Sequence, residues 1–149
     1  MSLEKWLEYG WLKTEPSSPE EIRDLLGIVT RAVTDAKVKA ISDDLRFQAA
    51  FSAALTAANV ALRASGYRTK VQAGHHQKIV ESLEFTLKAD QKLIHKLKVF
   101  SKKRNAVSYD AAGTISQQEL EQAIEVAREL QKSVTAWLRE THPALIKDS

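Results

Sequence analysis

Residues 43–66, DDLRFQAAFSAALTAANVALRASG, decide the fold of this chain. Phe47, Phe51, Leu55, Ala58 and Leu62 recur every three to four residues, which sets one apolar face of an α-helix. Ala49, Ala50, Ala53, Ala54, Ala57, Ala61 and Ala64 keep much of the remaining surface small, so a neighbouring backbone can approach closely and the helix is expected at the centre of a bundle. Asp43 can cap it after the Ile41-Ser42 break. Gly66, just past the last turn, takes the left-handed conformation cheaply and ends it.

Working outward, Ser17-Ser18-Pro19-Glu20-Glu21 is a helix start with Ser18 as N-cap, Pro19 at the first helical position and Glu21 completing a capping box. The stripe Ile22, Leu25, Leu26, Val29, Val33, Ala36 carries that helix to about Ala40. Before it, Leu3, Trp6, Leu7 and Trp11 predict a short helix within residues 1–14 that packs on the bundle. After Gly66, a connection to Gly74 leads to a helix from about His75 to Leu87. Asp90 then caps a helix through about Arg104, residues 105–115 read as irregular, and Asp110-Ala111-Ala112-Gly113 reads as a turn. A second capping box, Ser116-Gln117-Gln118-Glu119, opens the last and longest helix, with Leu120, Ala123, Ile124, Ala127, Leu130, Val134 and Leu138 on its apolar face. The expectation is an all-α antiparallel bundle of about five helices, one domain over residues 1–149.

Composition agrees. At 149 residues and 16.6 kDa, with 44% hydrophobic and 28% charged residues, one core suffices, and 5 glycines and 3 prolines are too few for an all-β chain. There is no cysteine, which excludes disulfides, thiolate metal sites and cysteine nucleophiles. No apolar run approaches the ~20 residues of a membrane span, and Glu4 and Glu8 interrupt the N-terminal segment, so a cytoplasmic protein without membrane contact is expected.

The net charge of +3 conceals an asymmetry. Residues 63–104 hold 11 basic against 3 acidic residues, whereas the segments before and after are net acidic. Alternating helices bring two loops to one pole, and these carry Arg68, Lys70, His75, His76, Lys102, Lys103 and Arg104. That pole is read as phosphate-binding. The competing reading pairs the basic third with the acidic last helix, lets Arg104 join a carboxylate there, makes Asn105 the left-handed cap of its own helix, and has Tyr109 plug the bundle end. The adjacent His75 and His76 lack the i, i+4 spacing and the nearby carboxylate of a zinc site, and no Gly-rich loop or Ser-His-Asp set stands out. No metal or cofactor is expected.

Lys102-Lys103-Arg104-Asn105-Ala106-Val107-Ser108-Tyr109-Asp110, at the end of a basic helix, resembles the HEPN superfamily. These are small helical domains marked by an arginine, often followed by asparagine, then four to six residues and a histidine at a helix end. The resemblance covers about Asp43 to Leu138. It implies that Arg104 and Asn105 hold phosphate and orient the reacting group, and that Tyr109 occupies the place of the family's histidine. A tyrosine with a pKa near 10 is a poor acceptor for the 2′-hydroxyl proton, so a binding role is expected ahead of cleavage. The resemblance further implies association with RNA or a nucleotide, a place in a toxin–antitoxin-type or nucleotidyltransferase-partnered system, and a homodimer, for which Trp6 and Trp11 are the expected anchors. Two alternatives stand beside it: a metal-independent ribonuclease using Arg104 with His75 or His76, and a dimeric interaction protein with no nucleic-acid role.

Overall fold

The computed structural model describes residues 1–70, 72, 74–109 and 115–146, with side chains in the stretch 91–109 described as far as Asn105. Its elements are α1 (Leu3–Glu8), β1 (Leu12–Thr14), α2 (Pro19–Ala36), α3 (Asp43–Ala64), β2 (Tyr67–Thr69), α4 (His75–Glu81), α5 (Leu83–Thr86), α6 (Gln91–Tyr109), α7 (Gln117–Thr141) and a terminal 3-10 turn (Pro143–Leu145). The fold is all-α, with one small two-stranded sheet. No described helix is long and apolar enough to cross a membrane.

The alanine-rich α3 is the axis. Ala50, Ala53, Ala54, Ala57, Ala58 and Ala61 are buried along it, and α2 and α7 pack lengthwise against it while α4, α5 and α6 meet it elsewhere. Small residues are what allow so many neighbours to approach one helix. Its larger side chains fill the gaps: Phe47 is buried edge-on against Phe100 of α6, with ring centroids 5.7 Å apart. The N-cap is Ser42, whose Oγ accepts from Leu45 N at 3.2 Å, rather than Asp43, which instead pairs with Arg46. Arg46 is itself buried and donates through Nε to the Ala36 carbonyl at 2.9 Å. A cation on the terminal carbonyls of α2 suits the dipole there, and α2 ends at Ala36, short of the expected Ala40.

Three further boundaries and one cap differ from expectation. The N-terminal helix stops at Glu8; Gly10 turns the chain at φ +79°, and Leu12–Thr14 becomes a strand antiparallel to Tyr67–Thr69, with Leu12 opposite Thr69. Glu21 completes only half of its capping box. Its backbone donates to Ser18 Oγ at 3.1 Å, but its carboxylate turns to Arg63 and Arg68. The helix from His75 breaks at Ser82, whose buried hydroxyl donates to the Ile79 carbonyl at 2.6 Å. Finally, α6 does not end at Arg104 but runs on to Tyr109, because residues 105–109 contain neither glycine nor proline. The capping box of α7 forms in both directions, at 3.0 Å each. The Asp110–Gly113 turn lies outside the described residues.

Candidate functional site

Gly74, at φ +83°, turns the chain into α4 in a conformation costly for any residue with a Cβ, and so stands His75 and His76 in the first turn. The His75 Nδ1 is 3.0 Å from the Gln72 carbonyl. A carbonyl only accepts, so Nδ1 carries the proton and a neutral ring keeps its lone pair on Nε2. The two imidazoles are neighbours, with centroids 4.2 Å apart and planes at 60°.

Helix α6 crosses this start antiparallel to α4. Lys98 reaches Glu81 at the far end of α4 at 3.2 Å, while Ser101, Arg104 and Asn105, about one turn further along α6, line a cavity of about 300 Å³ with Gly74, His75 and His76. Ser101 and Arg104 sit three residues apart, and so share one helix face. Among the described residues, no carboxylate lines this cavity. The Arg104 guanidinium lies 5.3 Å from the centroid of Phe51, and its buried Nε meets no hydrogen-bond acceptor. His76 is held below the ordinary imidazole range, first by burial and then by His75 and Arg104 beside it. The site therefore combines a fixed cation and one neutral imidazole with hydroxyl and amide donors, the equipment for holding an anion. On the other side of the same histidines lies a second cleft of about 300 Å³, walled by Leu25, Ile28, Leu55, Asn59 and Ile79 and reached by Arg68.

The remaining predicted residues are dispersed. Arg68 is held by Glu15 and by Glu21, the latter at 3.0 Å. Lys70 extends over Gly10, its Nζ 3.8 Å from where a Cβ would stand, away from the Arg104 cavity. Lys103 pairs with Glu119 at 3.1 Å, so the expected link between the basic segment and the last helix exists, made by Lys103 and not by Arg104. Lys102 is exposed on α6. Asn105 lies within a helix and does not cap one. The Tyr109 side chain lies outside the described residues. Trp6 is not free as an intersubunit anchor, being 4% exposed and edge-on to Trp11 at 5.8 Å and Phe85 at 5.2 Å, whereas Trp11 is half-buried with Lys78 Nζ 3.7 Å from its centroid.

Sequence reading gave no part in the site or its support to Arg63, Phe51 or Ser101. Arg63 is 1% exposed and donates to the carbonyls of Glu15 at 2.8 Å and Tyr67 at 3.1 Å and to Glu21 at 2.6 Å, tying α2, α3 and the sheet together beneath the pole. A lone arginine near the end of an alanine-rich run was the available signal. Among the described residues, no group of three or more His, Asp or Glu side chains could hold a metal ion. No protein-family model, no curated protein and no solved structure matches the chain.

Proposed function

We propose that this chain is a HEPN-like cytoplasmic binding module that takes a phosphate group of RNA or a nucleotide into the cavity between α4 and α6, as one half of a toxin–antitoxin-type or nucleotidyltransferase-partnered system. What supports the phosphate site is Arg104. A buried donor on a cation without an acceptor costs about 1–3 kcal/mol, and an anionic acceptor reverses that cost in a cavity to which the described residues bring no carboxylate. The partner class rests on the resemblance of the Lys102–Asp110 motif. Fluorescence anisotropy with a labelled oligouridylate tests the site: Arg104→Ala should weaken binding by roughly 10- to 100-fold, the equivalent of one charge-assisted hydrogen bond. Arg104→Lys, which keeps the charge but loses the Nε donor, should recover only part of it. Binding by Arg104→Ala equal to wild type would overturn the reading.

A second reading is favoured by the histidines in that cavity. In metal-independent RNA cleavage the 2′-oxygen attacks phosphorus as the bond to the 5′-oxygen breaks, leaving a cyclic phosphate. Neutral His76 would take the 2′-hydroxyl proton, Arg104 would balance the charge on the phosphoryl oxygens, and water would return a proton to the 5′-oxygen. Cyclic-phosphate product from wild type, absent in both His76→Gln and Arg104→Ala, selects this reading; RNA left intact by wild type selects the binder.

A further inference from the structure

Helix α6 carries no acidic residue anywhere between Gln91 and Tyr109. Its buried face is made by Ile94, Leu97, Phe100 and Ser101. At about 100° per residue, Lys92, His95, Lys96, Val99, Lys102 and Lys103 fall within roughly a third of the helix circumference, on the opposite side. Five of the six are exposed and Lys103 is half-buried. Two neighbouring carboxylates are already engaged: Glu81 by Lys98 at 3.2 Å, and Glu119 by Lys103 of the stripe at 3.1 Å. Lys92, Lys96 and Lys102 have no carboxylate partner among the described residues.

Resting on the phosphate-site reading above, we propose that the ligand is a single strand of RNA several nucleotides long, whose backbone runs along this stripe and ends with one phosphate in the Arg104 cavity. The stripe rises by ten helical steps from Lys92 to Lys102, or about 15 Å of helix, enough for a few successive phosphates. It meets the cavity at its edge through Asn105, which follows Lys102 by three residues and so neighbours it on the helix surface, while Arg104 lies on the buried side with Ser101. A free mononucleotide would leave Lys92 and Lys96 without purpose, about 12–18 Å of helix away from Arg104. An anionic membrane is the other surface a basic stripe could meet. Binding there draws on apolar side chains set beside the cations, and this stripe holds only Val99.

The test uses the full chain, with binding of a labelled trinucleotide and a labelled twelve-nucleotide oligouridylate followed between roughly 50 and 200 mM salt. Both lysines are exposed, so the double variant Lys92→Gln, Lys96→Gln should keep its fold, checked by circular dichroism. The expected result is a salt slope for the twelve-mer reduced by about 1.4, near 0.7 for each lost phosphate contact, with trinucleotide binding unchanged. Arg104→Ala should weaken both. An unchanged slope in the double variant, alongside loss of binding in Arg104→Ala, overturns the strand path and leaves the phosphate site standing. The reverse pattern keeps the stripe as an RNA track and removes the phosphate site. Capture of the protein by phosphatidylserine-containing vesicles, lost in the double variant while oligouridylate fails to bind, makes the stripe a membrane surface and overturns the proposal.

Discussion

A neutral imidazole beside an arginine is a ready acceptor at pH 7, and burial together with His75 and Arg104 keeps His76 in that form. A phosphodiester entering the cavity adds negative charge next to the ring and raises its pKa, so protonation and binding favour one another. Affinity for the dinucleotide UpU, whose diester does not titrate in this range, should rise as pH is lowered from about 8 to about 5.5, and His76→Gln should flatten that rise. Without ligand the sign is opposite. The folded pKa lies below the 6.5 of the unfolded chain, so the unfolded state takes the proton first and His76 withdraws stability as pH falls from 6.5. Near the C-terminal end of α3, Arg63 behaves as a structural cation. Burial pushes the Glu21 carboxyl up, but hydrogen bonds from Arg63 and Ser17, with the charges of Arg63 and Arg68, outweigh it and the net shift is downward. Stability from Glu21 is therefore complete above 4.5 and is lost as pH falls through its folded pKa. Urea unfolding should show Arg63→Met less stable by about 3 kcal/mol, because Glu21 and the carbonyls of Glu15 and Tyr67 lose their donor. In Glu21→Gln the acid decline below about pH 4.5 should become shallower.

The helices follow from local sequence where apolar spacing, caps and breakers agree, as they do for α2, α3 and α7. Burial along α3 came out as the alanine pattern implies, and that makes the helix intolerant of volume. Ala57, 1% exposed, should not accept a larger side chain: Ala57→Leu should lower stability by about 1–3 kcal/mol in the same urea experiment, whereas the exposed Ser52→Leu on that helix should change it by well under 1 kcal/mol. Elements failed to follow where a distant partner outweighed the local pattern. Trp11-Leu12-Lys13-Thr14 continues a helical spacing, yet it extends, because Leu12–Thr14 finds the backbone of Tyr67–Thr69 and Gly10 permits the turn. Ser82 interrupts α4 by donating its hydroxyl to the Ile79 carbonyl. The extension of α6 beyond Arg104 has a functional consequence. It places Asn105 on a continuous helix four residues after Ser101, so both can line one cavity, where a helix end would have left Asn105 as a cap.

For the molecule entire, Trp6 packs within the chain against Trp11 and Phe85, so the dimer expectation keeps only the half-buried Trp11 as an anchor beside the HEPN resemblance. Sedimentation at tens of micromolar is the check: a 16.6 kDa species overturns the dimer expectation, and a species of twice that mass supports it. What could be read from residues alone was whatever depends on near neighbours in the chain. The helical class, the central place of α3, the Ser116–Glu119 capping box and the concentration of charge in residues 63–104 all depend on spacing over a few positions, where helical geometry is rigid. The competition for charge was not legible. Arg68, Lys103 and Arg104 are alike as basic residues in the sequence, but packing gives Arg68 two carboxylates, Lys103 one, and Arg104 an aromatic face and a buried Nε without an acceptor. Which cation meets a carboxylate depends on helices brought side by side from far apart in the chain, and on burial, which sharpens every such encounter by removing water. That is why residues alone could set Arg104 and Asn105 beside His75 and His76 but could not separate the cation left without a carboxylate from those that are paired, which was decided where α4 and α6 cross.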